Sequence, residues 1–375
     1  MQKQSIKRHN RKLKMDYIKL KKIAIYPTGK LNSNAAEDCG EYPFFTCSHD
    51  IYRINTYAYD GEYVLLGGNN ATGDFPIFYY NGKFNAYQRT YLIQPINKNE
   101  YDTYYLFYSI GLKLKLMQNN AAGTATRFLT KQILDNINIE NRPFTIQKRI
   151  VSILSTYDSL IENNNKRIKI LEQMAENLYK EWFVRFRFPG HETTPIENGL
   201  PKGWEVKKIK DCVKRLPFNQ TYKANELEPE GKVIVVDQSA DAYIGFHNNE
   251  PSHKANVESP ILLFGDHSCK FVLMIKDFSL GENIVPFTSI NADWLNPYYL
   301  FYATHKIIET TEYKRHWGQF VSMKILVPSS TLQQKFSDFM KSIHKELDEL
   351  FIANMNLIKQ RDLLLPRLMS GKLAV

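Results

Sequence analysis

Within five residues, Asn85, Tyr87, Gln88 and Arg89 supply the side-chain types that read nucleic-acid base edges. An Asn or Gln amide pairs bidentately with adenine and an Arg guanidinium with guanine, while a Tyr ring stacks or touches phosphate. The Gly-Asn-rich stretch 67–73 upstream adds Asn69, Asn70 and Thr72, and the polar stretch 119–127 downstream ends in Thr126 and Arg127. A second set of similar chemistry comes much later in the chain, at Gln238, Ser239, Asp266, His267, Lys314, Arg315 and His316. Any one of these is an ordinary solvated loop residue. Their recurrence in two places is what makes base reading the chemistry to weigh.

Covalent chemistry has less support. The chain contains no Gly-x-Gly, which removes a dinucleotide fingerprint and the Gly-rich turn of a methyl-donor site, and no GxxxxGK[ST] phosphate loop. Asp266-His267-Ser268-Cys269 holds nucleophile types, and His247 with His253 are metal-ligand types, but neither group has a third partner at a recognised spacing. Ordinary loop roles are expected for both. Asn296-Pro297-Tyr298-Tyr299 resembles the tetrapeptide with which adenine methyltransferases hold their target amino group. Its counterpart Asp102-Thr103-Tyr104-Tyr105 lacks both Asn and Pro, so starting a helix is the expected role. No catalytic residue, metal site or cofactor of the chain's own is expected.

The elements that must position the readers are organised around two long helices. Residues 145–188 contain no Gly or Pro and are bracketed by Pro143 and Pro189, which predicts one continuous helix. Apolar residues at Ile146, Ile150, Ile153, Tyr157, Leu160, Leu171, Met174 and Leu178, interrupted at Asn164 and Arg167, follow the 4-3 spacing of a coiled-coil seam. A shift of 186 residues finds a partner seam at Leu332, Phe336, Phe339, Ile343, Leu350, Ala353, Leu357 and Leu364, interrupted at Glu346 and Gln360. The pentapeptide YYLFY precedes each helix, at 104–108 and 298–302, and Val64-Leu-Leu-Gly-Gly68 is echoed by Ile261-Leu-Leu-Phe-Gly265. The chain therefore reads as a duplicated module with two-fold pseudo-symmetry.

In front of each helix lie short aromatic and β-branched runs: EYPFFTCS, YVLLGG, FPIFYY and RTYLIQP first, then KVIVVDQ, SPILLFG and KFVLMI. Asn81-Gly82 is a two-residue hairpin signal. Residues 101–116 and 296–311 read as helices, Thr331 with Gln334 as a capping box, and Pro366 with Gly371 as the end of the second long helix. The fold class is α+β: two mixed α/β regions and two long antiparallel helices forming an intramolecular coiled coil.

The net charge of +10 is unevenly placed. Residues 1–22 hold nine Lys or Arg against one acidic residue, whereas residues 200–330 hold fifteen of each sign. A basic arm can bind polyanions, but near-neutral modules must bind through local patches. Cys39, Cys47, Cys212 and Cys269 show no CxxC spacing, so a reducing cytoplasm is the expected compartment. No apolar run approaches the roughly 18 residues of a membrane span, and no signal peptide is expected.

YKEWFVRFRFPG (179–190), GLPKGWEVKKI (199–209), LLLPRLMSGKL (363–373), YPFFTCS and GKFNAYQRTY together resemble the specificity subunit of type I restriction-modification systems, over essentially the whole chain. The resemblance implies two inverted target-recognition domains held apart by the helices. Each would read half of a bipartite, asymmetric target in double-stranded DNA. It also implies a non-catalytic chain that joins two methyltransferase subunits and two ATP-dependent restriction subunits, with S-adenosylmethionine, ATP and Mg bound by those partners. On this reading the layout is a basic arm (1–22), recognition domain 1 (23–143), long helix 1 (144–188), a linker (189–199), recognition domain 2 (200–330) and long helix 2 (331–375). Leu160, Leu171, Leu178, Trp182, Phe183, Leu357 and Leu364 are the expected partner-binding residues. Two other classes remain open at this point, a self-sufficient methyltransferase or nuclease fragment and a coiled-coil scaffold that binds only protein.

Overall fold

The computed structural model of the chain describes residues 16–70, 73–120, 128–309 and 314–375. Residues 1–15 of the basic arm, and the candidates Thr72, Thr126 and Arg127, lie outside the described residues. The chain divides into two compact units, Met1–Glu162 with Met355–Val375, and Asn163–Asn354.

In the first unit, a six-stranded sheet runs in the order Ala24–Ile25, Thr90–Pro95, Tyr59–Gly67, Ile77–Ala86, Tyr42–Phe45, Tyr52–Ile54. Successive side chains of a strand point to opposite faces. Val64 and Leu66 therefore pack with Tyr105, Leu106 and Ile110 of the helix Thr103–Asn120, while Leu65 joins Phe45, Phe84 and Leu92 on the other face. The expected hairpin at Asn81-Gly82 does not form. The strand runs through it, pairing Asn81 with Glu62 and Gly82 with Gly61. Both glycines take positive φ, 144° and 128°, a conformation cheap only without a Cβ. The turn signal thus reports a backbone irregularity shared by two paired strands, Tyr59–Gly67 and Ile77–Ala86.

The second unit carries a four-stranded sheet, Val213–Arg215, Ile284–Ser289, Ile261–Gly265, Phe271–Met274, and a three-stranded sheet, Gly245–His247, Val233–Val236, Phe278–Leu280. The helix Pro297–Thr304 is shorter than the sequence suggests. Asn296 caps it by accepting the Tyr298 backbone N–H at 3.0 Å, the helix-starting role expected of that tetrapeptide.

The first long helix spans Phe144–Tyr179, about 54 Å at ~1.5 Å per residue, and continues into one π-helical turn, Lys180–Val184. The second spans Ser330–Met369 and runs through Pro366 rather than stopping there. It ends where Gly371 takes φ 65° and the Leu373 N–H closes back on the Arg367 carbonyl. Antiparallel pairing shows in both units. In the first, Arg361 reaches Asp158 at 2.7 Å and Arg142 the Met369 carbonyl at 3.0 Å; in the second, Arg167 reaches Glu346 at 2.6 Å and Asn164 reaches Asn354 at 2.9 Å.

The seam differs from the predicted one along one of its two columns, although Leu332 of that column is buried and Ile146 and Ile153 pack against the core. The column through Ile150, Leu171, Phe336 and Leu364 faces inward as expected, but the other column is displaced by one residue. Leu154, Ala175, Met340 and Leu368 are buried, whereas Leu160 is 46% exposed, Met174 55% and Phe339 55%. Neighbouring apolar pairs such as Ile153-Leu154, Leu160-Ile161 and Met174-Ala175 permit either column. Packing against each unit's own sheet and helices selects the later one. No described helix is long and apolar enough to cross a membrane.

Candidate nucleic-acid interface

The two sets of candidate readers lie at the ends of corresponding strands. In the first unit, strand Tyr59–Gly67 runs out into Gly68, whose N–H donates to the Arg89 carbonyl at 2.8 Å and whose carbonyl accepts the Leu129 N–H at 2.9 Å. Asn69 bridges to Phe128. A Cβ at Gly68 would sit 2.8 Å from the Arg89 carbonyl oxygen, so the residue must be Gly for the loop to lie against the 87–89 turn. That turn closes with the Thr90 N–H on the Tyr87 carbonyl, at 2.8 Å. It exposes Gln88 and Arg89, with the Gln88 amide donating to Asn32 at 3.0 Å. Asn69, Asn70, Tyr87, Gln88 and Arg89 are thus gathered at one end of the sheet.

In the second unit, strand Ile261–Gly265 runs out into Asp266. Its N–H donates to the Asn283 carbonyl at 2.9 Å and its carbonyl accepts the His316 N–H at 2.7 Å. The Asp266 carboxylate accepts the Trp317 N–H at 2.9 Å and lies 3.8 Å from Arg315 Nε. Gln238 Oε1 accepts the His267 N–H at 3.0 Å, and Ser239 is turned onto Asp237. Lys270 donates to the carbonyls of Asp237 and Asp241, fixing the same loop, and burial holds its ammonium below the usual lysine pKa. Lys314 and Arg315 are exposed beside this cluster. In both units the strand end takes a backbone hydrogen bond from the segment that leads into a short helix, Lys131–Asp135 or Trp317–Ser322.

Several expectations require correction. Asn85 is buried; its amide donates to the Thr56 carbonyl at 3.4 Å and its oxygen accepts the Ala86 N–H, so it supports the turn from below. His316 is also buried, at the start of its short helix. Trp182 and Phe183 do not face outward: both join the second unit's core, Phe183 edge-on to Tyr299 at 4.7 Å and to Phe336 at 5.2 Å. Of the other residues read as partner-binding, Leu171, Leu178, Leu357 and Leu364 are half-buried and Leu160 is exposed. Sequence reading missed Asn32 and Phe128, which only the fold brings to the same edge.

Hydrogen bonding also settles the histidines. His247 Nδ1 accepts the Asn249 N–H at 3.1 Å, so Nε2 carries the hydrogen and donates to Ser279 Oγ at 2.9 Å. That tautomer is the wrong one for a base acting on the buried Ser279. His253 donates through Nε2 to the Pro217 carbonyl at 2.8 Å and stacks on Phe278. Among the described residues, no cluster of His, Cys, Asp or Glu could hold a metal ion.

The family model for the type I restriction modification DNA specificity domain matches twice, over residues 13–173 and 201–356. The chain belongs to that family. The two matches reproduce the duplication read from YYLFY and from the long helices. The specificity subunit of the Escherichia coli type I restriction enzyme EcoDI is 33% identical over 184 residues, covering 48% of this chain and 40% of that one. The MjaIX specificity subunit of Methanocaldococcus jannaschii is 26% identical over 302 residues, covering 72% and 68%. The chain thus spans less than half the length of the EcoDI relative. The crystal structure of the type I restriction-modification system S subunit from M. genitalium superposes with a TM-score of 0.59 at 15% identity, over 95% of this chain and 96% of that one, and shares the fold.

Proposed function

We propose that this chain is the DNA-reading subunit of a type I restriction-modification complex. Its two modules each read one half of a bipartite target, and it has no chemistry of its own. The observation that carries the reading is the matched pair of strand ends, Gly68 and Asp266, each pinned by backbone bonds beside exposed polar groups, the Gln88 amide and Arg89 guanidinium at the first and the Lys314 ammonium and Arg315 guanidinium at the second. An ordered backbone holding Gln88, Arg89, Arg315 and Lys314 at an edge suits base and phosphate contacts in a groove. Near-neutral modules with local basic tips suit sequence reading better than a uniformly basic surface does.

Two methyltransferase subunits, which bind S-adenosylmethionine, would dock on the long helices, where exposed Leu160 offers apolar surface. Two ATP- and Mg-dependent restriction subunits would complete the complex, in the cytoplasm. The test is footprinting of the assembled complex on genomic DNA at several salt concentrations. Two short protected half-sites separated by an unprotected spacer, with binding that falls steeply with salt, support the reading. Methyl transfer by the purified chain alone would replace it with an enzyme, and the absence of any sequence-specific footprint would leave a protein scaffold.

A further inference from the structure

Each long helix carries a buried glutamine near its start, Gln147 and Gln333, separated by the same 186 residues as the seams. Gln147 Oε1 accepts the Asp102 N–H at 2.9 Å, and its Nε2 donates to the carbonyls of Glu100 at 2.8 Å and Arg142 at 2.9 Å. Gln333 Oε1 accepts the Asn296 N–H at 2.8 Å, and its Nε2 donates to the carbonyls of Trp294 at 3.1 Å and Pro328 at 2.8 Å. The three bonds are the same three bonds, made twice by segments of different sequence. In each unit one side chain ties together the start of the YYLFY helix, the strand exit before the long helix and the long helix itself.

The surroundings repeat as well. Asp102 and Asn296 both cap the YYLFY helix, accepting the N–H of Tyr105 at 2.9 Å and of Tyr298 at 3.0 Å. Tyr105 donates to the Glu140 carbonyl at 2.8 Å and Tyr299 to the Leu326 carbonyl at 2.7 Å. All three partners of each amide are backbone atoms, so the join does not depend on the reading residues. An amide is required: a carboxylate has no donors for two carbonyls, and a shorter Asn falls one methylene short.

We infer that Gln147 and Gln333 are positioning residues: each fixes the angle at which a recognition module sits on its own stretch of long helix, and so sets the spacer length that the subunit accepts. The inference rests on the DNA-reading assignment above. A module of this size is about 35 Å across, so a tilt of roughly 6° at the join moves its far edge by ~3.4 Å, one base step. The amide lies at the pivot of that lever.

The experiment uses the assembled methyltransferase complex and duplexes carrying both mapped half-sites with the native spacer, or with one base pair added or removed. Gln147→Met and Gln333→Met keep the side-chain volume and delete all three bonds. Each is expected to lower the preference for the native spacer by about tenfold, the equivalent of ~1.4 kcal/mol, with base discrimination inside each half-site unchanged. Gln147→Asn and Gln333→Asn are the milder pair should the Met variants fail to assemble. Leu154→Ala, in the same core as the first join but about two helical turns from Gln147, is expected to cost stability and leave the spacer preference intact. An unchanged spacer preference in the Gln variants, or its equal loss in Leu154→Ala, overturns the inference. A wild-type complex indifferent to spacer length would instead remove the DNA-reading assignment itself.

Discussion

Leu154 and Leu160 provide a direct test of which side chains the long-helix seam encloses. Leu154 is fully buried in the core that also holds Tyr105, Leu368 and Met369, while Leu160, six residues later, is 46% exposed. Leu154→Ala removes a buried isobutyl group and leaves a cavity, a change that costs about 2–5 kcal/mol. Leu160→Ala removes a side chain already half in water, and surface changes of this kind stay within roughly 0.5 kcal/mol. At ~2–4 °C per kcal/mol for a unit of this size, a loss of ~3 kcal/mol corresponds to a fall of about 6–12 °C in the unfolding midpoint. Thermal scans of the purified chain by far-ultraviolet circular dichroism, with urea midpoints as a second measure, separate the two outcomes. Equal destabilisation by both variants, or a neutral Leu154→Ala, would refute the displaced seam. Copurification with a methyltransferase subunit should respond oppositely, with Leu160→Ala weakening it.

Arg89→Ala should cost about 1–3 kcal/mol of discrimination at one base position in one half-site and leave the other half unchanged, read as methylation rates on single-mismatch duplexes. Trp182→Ala should destabilise the second unit by ~3–5 kcal/mol, seen as a lowered urea midpoint, because the ring is core rather than docking surface. His344 accepts the Tyr302 hydroxyl through Nε2 at 2.9 Å, and burial lowers its pKa to about 4. The unfolded chain therefore takes up this proton first. Stability present above pH ~6.5 is lost as pH falls toward ~4, by up to about 3 kcal/mol at 1.36 kcal/mol per unit. Urea midpoints between pH 7 and 4.5 should fall less in His344→Gln than in wild type, and parallel curves would contradict the assignment.

Much of this was legible in the sequence because duplication supplies an internal comparison. Two YYLFY segments and two Gly-free helices whose seams keep a constant 186-residue offset fixed the plan without any structure. The failures occurred where local signals compete with long-range packing. Ile153-Leu154 and Leu160-Ile161 offer two heptad columns, and only the sheet and helix packed against them choose between the two. Asn81-Gly82 has the composition of a turn, but a glycine on the facing strand, Gly61, lets the pair run straight on. Asn85 sits beside exposed Gln88 and Arg89 in sequence and yet points inward, since polarity does not reveal which face of a strand end is covered. Gln147 and Gln333 carry no local signal of their role, because the helix starts they hold, at Asp102 and Asn296, lie 45 and 37 residues away in the chain.

We propose that two modules of one chain read two halves of one target for enzymes that cannot find it alone. The most direct measurement is single-molecule mapping of methylated adenines in cells carrying the methyltransferase subunit with this chain, with its Arg89→Ala variant, and without it. The account predicts a bipartite motif with a fixed spacer, one half of which becomes degenerate in the variant, and no methylated motif without the chain. A motif that persists without the chain, or a single contiguous motif degraded throughout by Arg89→Ala, would contradict it.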